Sequence, residues 1–347
     1  MSQQLPSSSH FFHCIPVSTR AVIFMTMLLV STSLIGSEPR DISVDPQHVV
    51  GAEKCSKCHQ SEISTWHQTP HYQTFEQLHR KPEATAIAKR LGLSSIKRND
   101  TCIRCHYTQQ QSGRKVKPIS GVSCESCHGA AEAWLESHAD YGGPDVTREQ
   151  ESAAHKQQRR ARAIAQGMRN PSNLYLVAQS CFNCHTAPDE KLVNVGGHNV
   201  GTLEFELVAY SQGKIRHNFV RSNGKQNEVS SPERLRVMFM VGLLTDLEYS
   251  LRATAKATEL QLYGVTNAHR ADRLRKELQG IQQALQDPLL QPAVDAATQV
   301  KLKLNNADKL FEAADTISLT AYNFAEQRDG STLAVIDELL PQPNQYK

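Results

Sequence analysis

Four pentapeptides of the form C-x-x-C-H constrain this chain more than any other feature: CSKCH at 55–59, CIRCH at 102–106, CESCH at 124–128 and CFNCH at 181–185. At the chain's own Cys and His frequencies, chance supplies only about 0.01 such pentapeptides, so four are no coincidence. They use Cys55, Cys58, Cys102, Cys105, Cys124, Cys127, Cys181 and Cys184, which leaves only Cys14 near the N-terminus. Two thiols separated by two residues can each add across one vinyl group of the same porphyrin. The histidine that follows then lies under the iron as its proximal ligand. A thioredoxin-type pair, structural zinc or disulfides would each use the cysteines, yet leave His59, His106, His128 and His185 without a role. The pattern therefore predicts four covalently attached haem c groups with those four histidines on their irons.

The rest of the composition agrees. With 347 residues the chain has room for two domains. Only 39% of it is apolar and its mean hydropathy is -0.46, lean for a chain that must fill its own core. Four porphyrins would supply the missing apolar mass. The balance of 38 basic against 35 acidic residues provides no strong field and argues against nucleic acid as a partner.

The N-terminus carries an address. Residues 21–35, AVIFMTMLLVSTSLI, form an uncharged run after Arg20 and before the small residues Gly36 and Ser37, the order of a secretory signal. The run is shorter than the roughly 20 residues of a spanning helix, so residues 1–37 are expected to be removed during export to the periplasm. An uncleaved segment would instead tether the protein to the membrane. Export suits the cysteines, because c-type attachment takes place outside the cytoplasm.

Nine histidines remain for the opposite faces of the irons: His48, His67, His71, His79, His138, His155, His198, His217 and His269. Methionine, the usual competitor, is present beyond the signal only as Met168, Met238 and Met240. Histidine on both faces, and hence low potential, is the expectation.

The sequence also resembles the tetrahaem cytochrome c-554 family, with its relatives among the multihaem cytochromes of nitrogen metabolism. The likeness covers roughly residues 50 to 190. It rests on CSKCHQSEISTWHQTPH, with Trp66, Thr69 and His71 at set distances after the first motif, and on PISGVSCESCHGAAEAWLESH, with His138 ten residues past His128. The resemblance implies that His71 and His138 are distal ligands to haems other than those beside them in sequence. It also implies that the second-motif haem, at His106, is five-coordinate.

Beyond the fourth motif the residues are read directly. GGHNVGT places His198 in a glycine-rich turn, and GKIRHNF places His217 at the end of a strand paired with LEFELVAY. Either could close an iron from its distal side. Trp66 and Trp134 are expected to pack on haem, and a helix over 130–138 would turn His138 away from its own motif. A basic helix is expected over 74–92. Another, carrying Arg159, Arg160, Arg162 and Arg169, should stop near Pro171, with those arginines either solvated or paired to haem propionates.

From Ser231 onward there are no cysteines and the pattern is long and helical. Val237, Met240, Leu244, Leu247 and Leu251 mark one apolar stripe. The expected fold is mainly α: a multihaem cytochrome c domain with little regular sheet (38–228), followed by a helical hairpin or bundle (229–347). Because MFMVGLL is apolar beyond one face, it predicts docking or a homodimer. The expected function is electron relay between redox protein donors and acceptors of the periplasm. The alternative is a reductase or oxidoreductase acting on nitrite, nitric oxide or hydroxylamine at an open haem. No signalling module supports a sensor.

Overall fold

The computed structural model describes residues 42–187 and 189–347; the signal segment, with Cys14, lies outside them. The described chain is helical apart from one hairpin.

Up to Leu174 the helices are short, and local punctuation explains their ends. Helix α1 (Ala52–Cys55) opens the first motif, and α2 (Gln60–Trp66) follows it. A single helix through His71 does not form. Thr69 accepts from the Tyr72 N–H and Pro70 occupies the first position of α3 (Pro70–Gln77), so His71 sits in the first turn of a new helix. The basic helix expected over 74–92 is likewise divided: Pro82 starts α4 (Pro82–Arg90), and Gly92, at φ +70°, ends the segment. Asn99 caps α5 (Asp100–His106). An antiparallel hairpin, β1 (Thr108–Ser112) and β2 (Lys115–Ser120), then leads to α6 (Cys124–His128), where Ser123 and Ser126 form a capping box.

Three expectations are corrected here. Residues 130–138 form turns and a 3-10 segment (Ser137–Ala139) in place of a helix. Helix α7 spans Ala153–Ala165, so Arg169 lies beyond it. The strand pair proposed for LEFELVAY and GKIRHNF is absent. After α8 (Leu174–His185) and α9 (Glu190–Asn194), Glu206 accepts from the Val208 and Ala209 N–H groups and turns the apolar run into α10 (Leu207–Ser211). A side-chain cap outweighs β-rich composition there.

The C-terminal part is a bundle of four helices: α11 (Pro232–Lys256), α12 (Leu262–Leu285), α13 (Gln291–Gln299) and α14 (Ala307–Gln327). Asn305, at φ +58°, separates the last two. All five stripe residues of α11 are buried, and so is every residue of MFMVGLL. The surplus apolar faces are covered within the chain, by α8 and α10 on one side and by α12 and α14 on the other. The observation that suggested dimerisation is thereby accounted for. No helix among the described residues is long and apolar enough to cross a membrane.

Apolar burial is distributed unevenly. Among the described residues before Leu174 only eight apolar ones are buried: Val49, Ala88, Ile96, Ile103, Tyr107, Ala131, Trp134 and Ala163. That is too little to close a domain of this length by itself. The main core begins on α8, at Leu174, Tyr175, Ala178 and Phe182, and runs through Phe205 and Val208 into α11–α14. Helix α8 is also pinned to α11 by Tyr175, whose hydroxyl donates to Glu248 at 2.9 Å inside the core.

Candidate haem centres

On a helix, positions i, i+3 and i+4 share a face. The C-x-x-C-H spacing therefore aims two thiols and one imidazole the same way wherever the motif is helical. It is helical at α5, α6 and the end of α8, and the first motif continues from α1 with the His59 N–H donating to Cys55 O at 3.0 Å. None of the eight cysteines is in a disulfide.

Each motif histidine faces one other histidine. Ring centres are 6.3 Å apart for His59 and His138, 6.3 Å for His71 and His185, 6.3 Å for His106 and His198, and 6.2 Å for His128 and His217. Two imidazoles bonded to opposite faces of one iron, at about 2.0–2.1 Å per bond, place their centres about 6.3 Å apart. The gaps thus fit a metal between each pair. The ring planes meet at 21°, 59°, 55° and 87° respectively.

The far nitrogens agree. Nδ1 of His138 donates to Leu135 O at 2.6 Å, that of His198 to Asn199 O at 2.8 Å, and that of His217 to Ile215 O at 2.6 Å. Nδ1 of His128 donates to Arg169 O at 3.3 Å, and that of His185 bonds Thr202 Oγ1 at 3.0 Å. An Nδ1–H held on a carbonyl leaves Nε2 with a free lone pair, the tautomer a metal needs. Burial, reinforced by the facing imidazole, pushes His106, His128 and His185 down to about 4, so they stay neutral at physiological pH. Burial also lowers His71 and His138.

Of the five remaining histidines, His79 lies beside Lys97 and Arg80, and the other four are used otherwise. His48 bonds Glu132, His155 bonds Glu151, His67 lies against Trp66 and Tyr72, and His269 lines a surface pocket. Met238 and Met240 are buried in the helical core, and the Met168 sulfur accepts from Asn170. Trp134 stands edge-on to His138 at 5.3 Å, while the Trp66 Nε1–H donates to Val122 O at 2.8 Å.

The cysteines reveal how the motifs adjoin. The Cys55 thiol lies beside Cys124, and the Cys105 thiol beside Cys184. Between these pairs, Ser180 Oγ donates to Cys127 O at 2.9 Å, which places the third motif against the fourth. Once spent in thioethers the sulfurs no longer titrate, so these contacts matter as distances between neighbouring porphyrin edges.

Several positioning residues had no signature in the sequence. Glu125, inside the third motif and 1% exposed, accepts from the N–H groups of Val50 at 2.9 Å, Gly51 at 2.8 Å and Ala131 at 2.8 Å. It thereby ties the approach to the first motif onto the third. On the other side, Glu190 accepts from the Thr258 and Glu259 N–H groups, and Asn194 Oδ1 from the Tyr263 N–H at 3.0 Å. The bundle thus holds the segment that carries His198.

Arg159, expected on a solvated or propionate-binding face, is buried. It grips the fully covered Glu151 carboxylate through Nε at 2.7 Å and Nη2 at 2.6 Å, and donates to His138 O at 2.5 Å. The Arg159 guanidinium, with help from His155, holds Glu151 down at about 2. Unfolded, that carboxyl would protonate near its ordinary 4.5. The pairing therefore stabilises the fold above that value, and its contribution is lost as the pH falls toward about 2. The denaturation midpoint should drop across this window. Glu151→Gln should flatten the drop, and parallel profiles for the two proteins would refute the pairing.

Residues 54–129 match the family described as cytochrome c554 and c-prime. Over 100 residues the chain is 33% identical to cytochrome c-554 of Nitrosomonas europaea, a stretch that covers 26% of this chain and 43% of that protein. No solved structure matches. The matched region holds the first three motifs and stops short of the fourth and of His138, His198 and His217. The chain is thus similar, over residues 54–129, to the cytochrome c554 and c-prime family, and spans less than half the length of the relative it matches.

Proposed function

We propose that this protein is an exported, periplasmic electron carrier with four haem c groups, each held between two histidines. The observation that carries the reading is the set of four histidine pairs at 6.2–6.3 Å. Haem c supplies the one-electron ferric/ferrous couple, and two imidazoles keep it low in potential. His59 with His138, His106 with His198, His128 with His217 and His185 with His71 hold the irons. The cysteine contacts set the order of the relay as first, third, fourth, second motif. Each histidine pair also joins segments distant in sequence, so ligation braces the part of the chain that lacks an apolar core. In this reading residues 38–228 form the haem-bearing part and 229–347 the scaffold against which its fourth motif packs. Redox proteins at either end of the relay are its partners.

The position of His198 speaks against the reductase reading. The open iron would lie at His106, and an imidazole stands across from it at the bonding span. The test is mass and spin state. The mature protein should carry four haems and give a wholly low-spin ferric spectrum that carbon monoxide leaves unchanged after reduction. The angle between axial imidazoles sets the splitting of the iron d orbitals. The near-perpendicular His128 and His217 should therefore give the most anisotropic paramagnetic resonance signal, and the 21° pair of His59 and His138 the least. A high-spin component would sink the carrier reading.

A further inference from the structure

Arg169 grips the third motif with its main chain and reaches the fourth with its side chain. Its N–H donates to His128 O at 2.8 Å, and its own carbonyl accepts from His128 Nδ1. The guanidinium turns the other way. Nη1 donates to Ser180 Oγ at 2.8 Å, beside Cys181, and the charge lies near enough to Cys127, Cys181 and Cys184 to act on all three. Gly129, at φ +87°, lets the chain pass here: a Cβ there would stand 2.4 Å from Gly167 O.

Among the described residues no carboxylate pairs with this guanidinium, whereas Arg159, Arg236, Arg252, Arg270 and Arg328 each hold one. With no protein carboxylate beside it, the guanidinium contributes an uncompensated positive charge from the chain at this place. Arginine remains charged throughout the accessible pH range. What changes at this place is the charge on iron: reduction adds one electron to one ferric centre, and no atom is transferred.

We propose that Arg169 raises the reduction potentials of the third- and fourth-motif haems, making the junction between the two haem pairs the place where an electron entering the relay comes to rest. The inference rests on the four-haem reading. A unit charge within about 10 Å in a partly solvated interior biases a one-electron equilibrium by roughly tenfold, which is about 59 mV.

The test is a potentiometric titration of the full-length holoprotein followed by paramagnetic resonance. Haem count and spin state are measured first, and fewer than four low-spin haems in the unmodified protein would overturn the four-haem reading itself. With that intact, Arg169→Gln should lower the potentials of two haems, including the one with the most anisotropic signal, by about tenfold in equilibrium constant, and leave the other two in place. Arg169→Lys should restore most of the shift. Ser180→Ala, which only frees the guanidinium, should move the same two haems by less. Titration curves superimposable on those of the unmodified protein overturn the proposal, whether for Arg169→Gln or, where that variant loads fewer haems, for Ser180→Ala. A uniform shift of all four haems also overturns it.

Discussion

Replacing His198 with alanine is expected to convert the second-motif haem from low-spin to high-spin and to open it to carbon monoxide, with the other three unchanged. The expectation follows from the 6.3 Å span between His198 and His106 and from the Nδ1 bond to Asn199 O, which leaves Nε2 free to bond iron. Water or a small ligand would take the vacated face. The effect should be all-or-none for one quarter of the haem absorbance, since His71, the other histidine near His106, faces His185. The variant also bears on function. An engineered open iron would have the coordination that the rival enzyme reading needs, so turnover of nitrite or hydroxylamine by the variant and not by the unmodified protein would show what His198 prevents. An unchanged spin state in His198→Ala would mean that His198 is not a ligand, and the catalytic reading would regain ground.

The largest expected loss of stability is at Glu125. Its carboxylate is buried and accepts three main-chain N–H groups, from Val50, Gly51 and Ala131. Alanine would leave all three donors without a partner and open a cavity inside the third motif. Bonds to charged groups contribute about 1.5–3 kcal/mol each and do not add fully, so a cost of about 3–5 kcal/mol is expected for Glu125→Ala. Glu125→Gln keeps the volume but turns amide hydrogens toward backbone donors, and should cost about half as much. Chemical denaturation of the two holoproteins measures both. The loss should appear together with poorer attachment at the first and third motifs, because Glu125 joins the segment leading to Cys55 onto the helix carrying Cys124. A Glu125→Ala protein as stable as its parent would show that the contact is replaced by water.

The helical class, the bundle after Ser231 and the covalent clamps were all legible in the sequence, because each depends on short-range spacing. Three and four residues define a helix face, two residues separate the thiols of a clamp, and the imidazole follows at once. Where the reading strayed, local capping had overruled composition. Pro82 divides the helix expected over 74–92, and Glu206 starts α10 where a strand was expected. The apolar surplus of MFMVGLL suggested a second copy because a single sequence does not display how many neighbours a helix has. Here α8, α10, α12 and α14 surround it.

The proximal half of each haem centre is thus written in five adjacent residues. The distal half is not. His138, His71, His198 and His217 lie far along the chain from the histidines they face; the motifs around His71 and His138 marked those two by resemblance, while nothing beside His198 and His217 distinguishes a ligand from a surface imidazole. His198 reaches its place because Glu190 and Asn194 fasten its segment to the turn between α11 and α12, more than sixty residues onward. By itself the sequence determined which thiols and imidazole share a face in each motif, since that spacing is local. Only the tertiary structure decided which histidine stands across from which, because such a partner is chosen by packing between remote segments and leaves no periodic trace in either one.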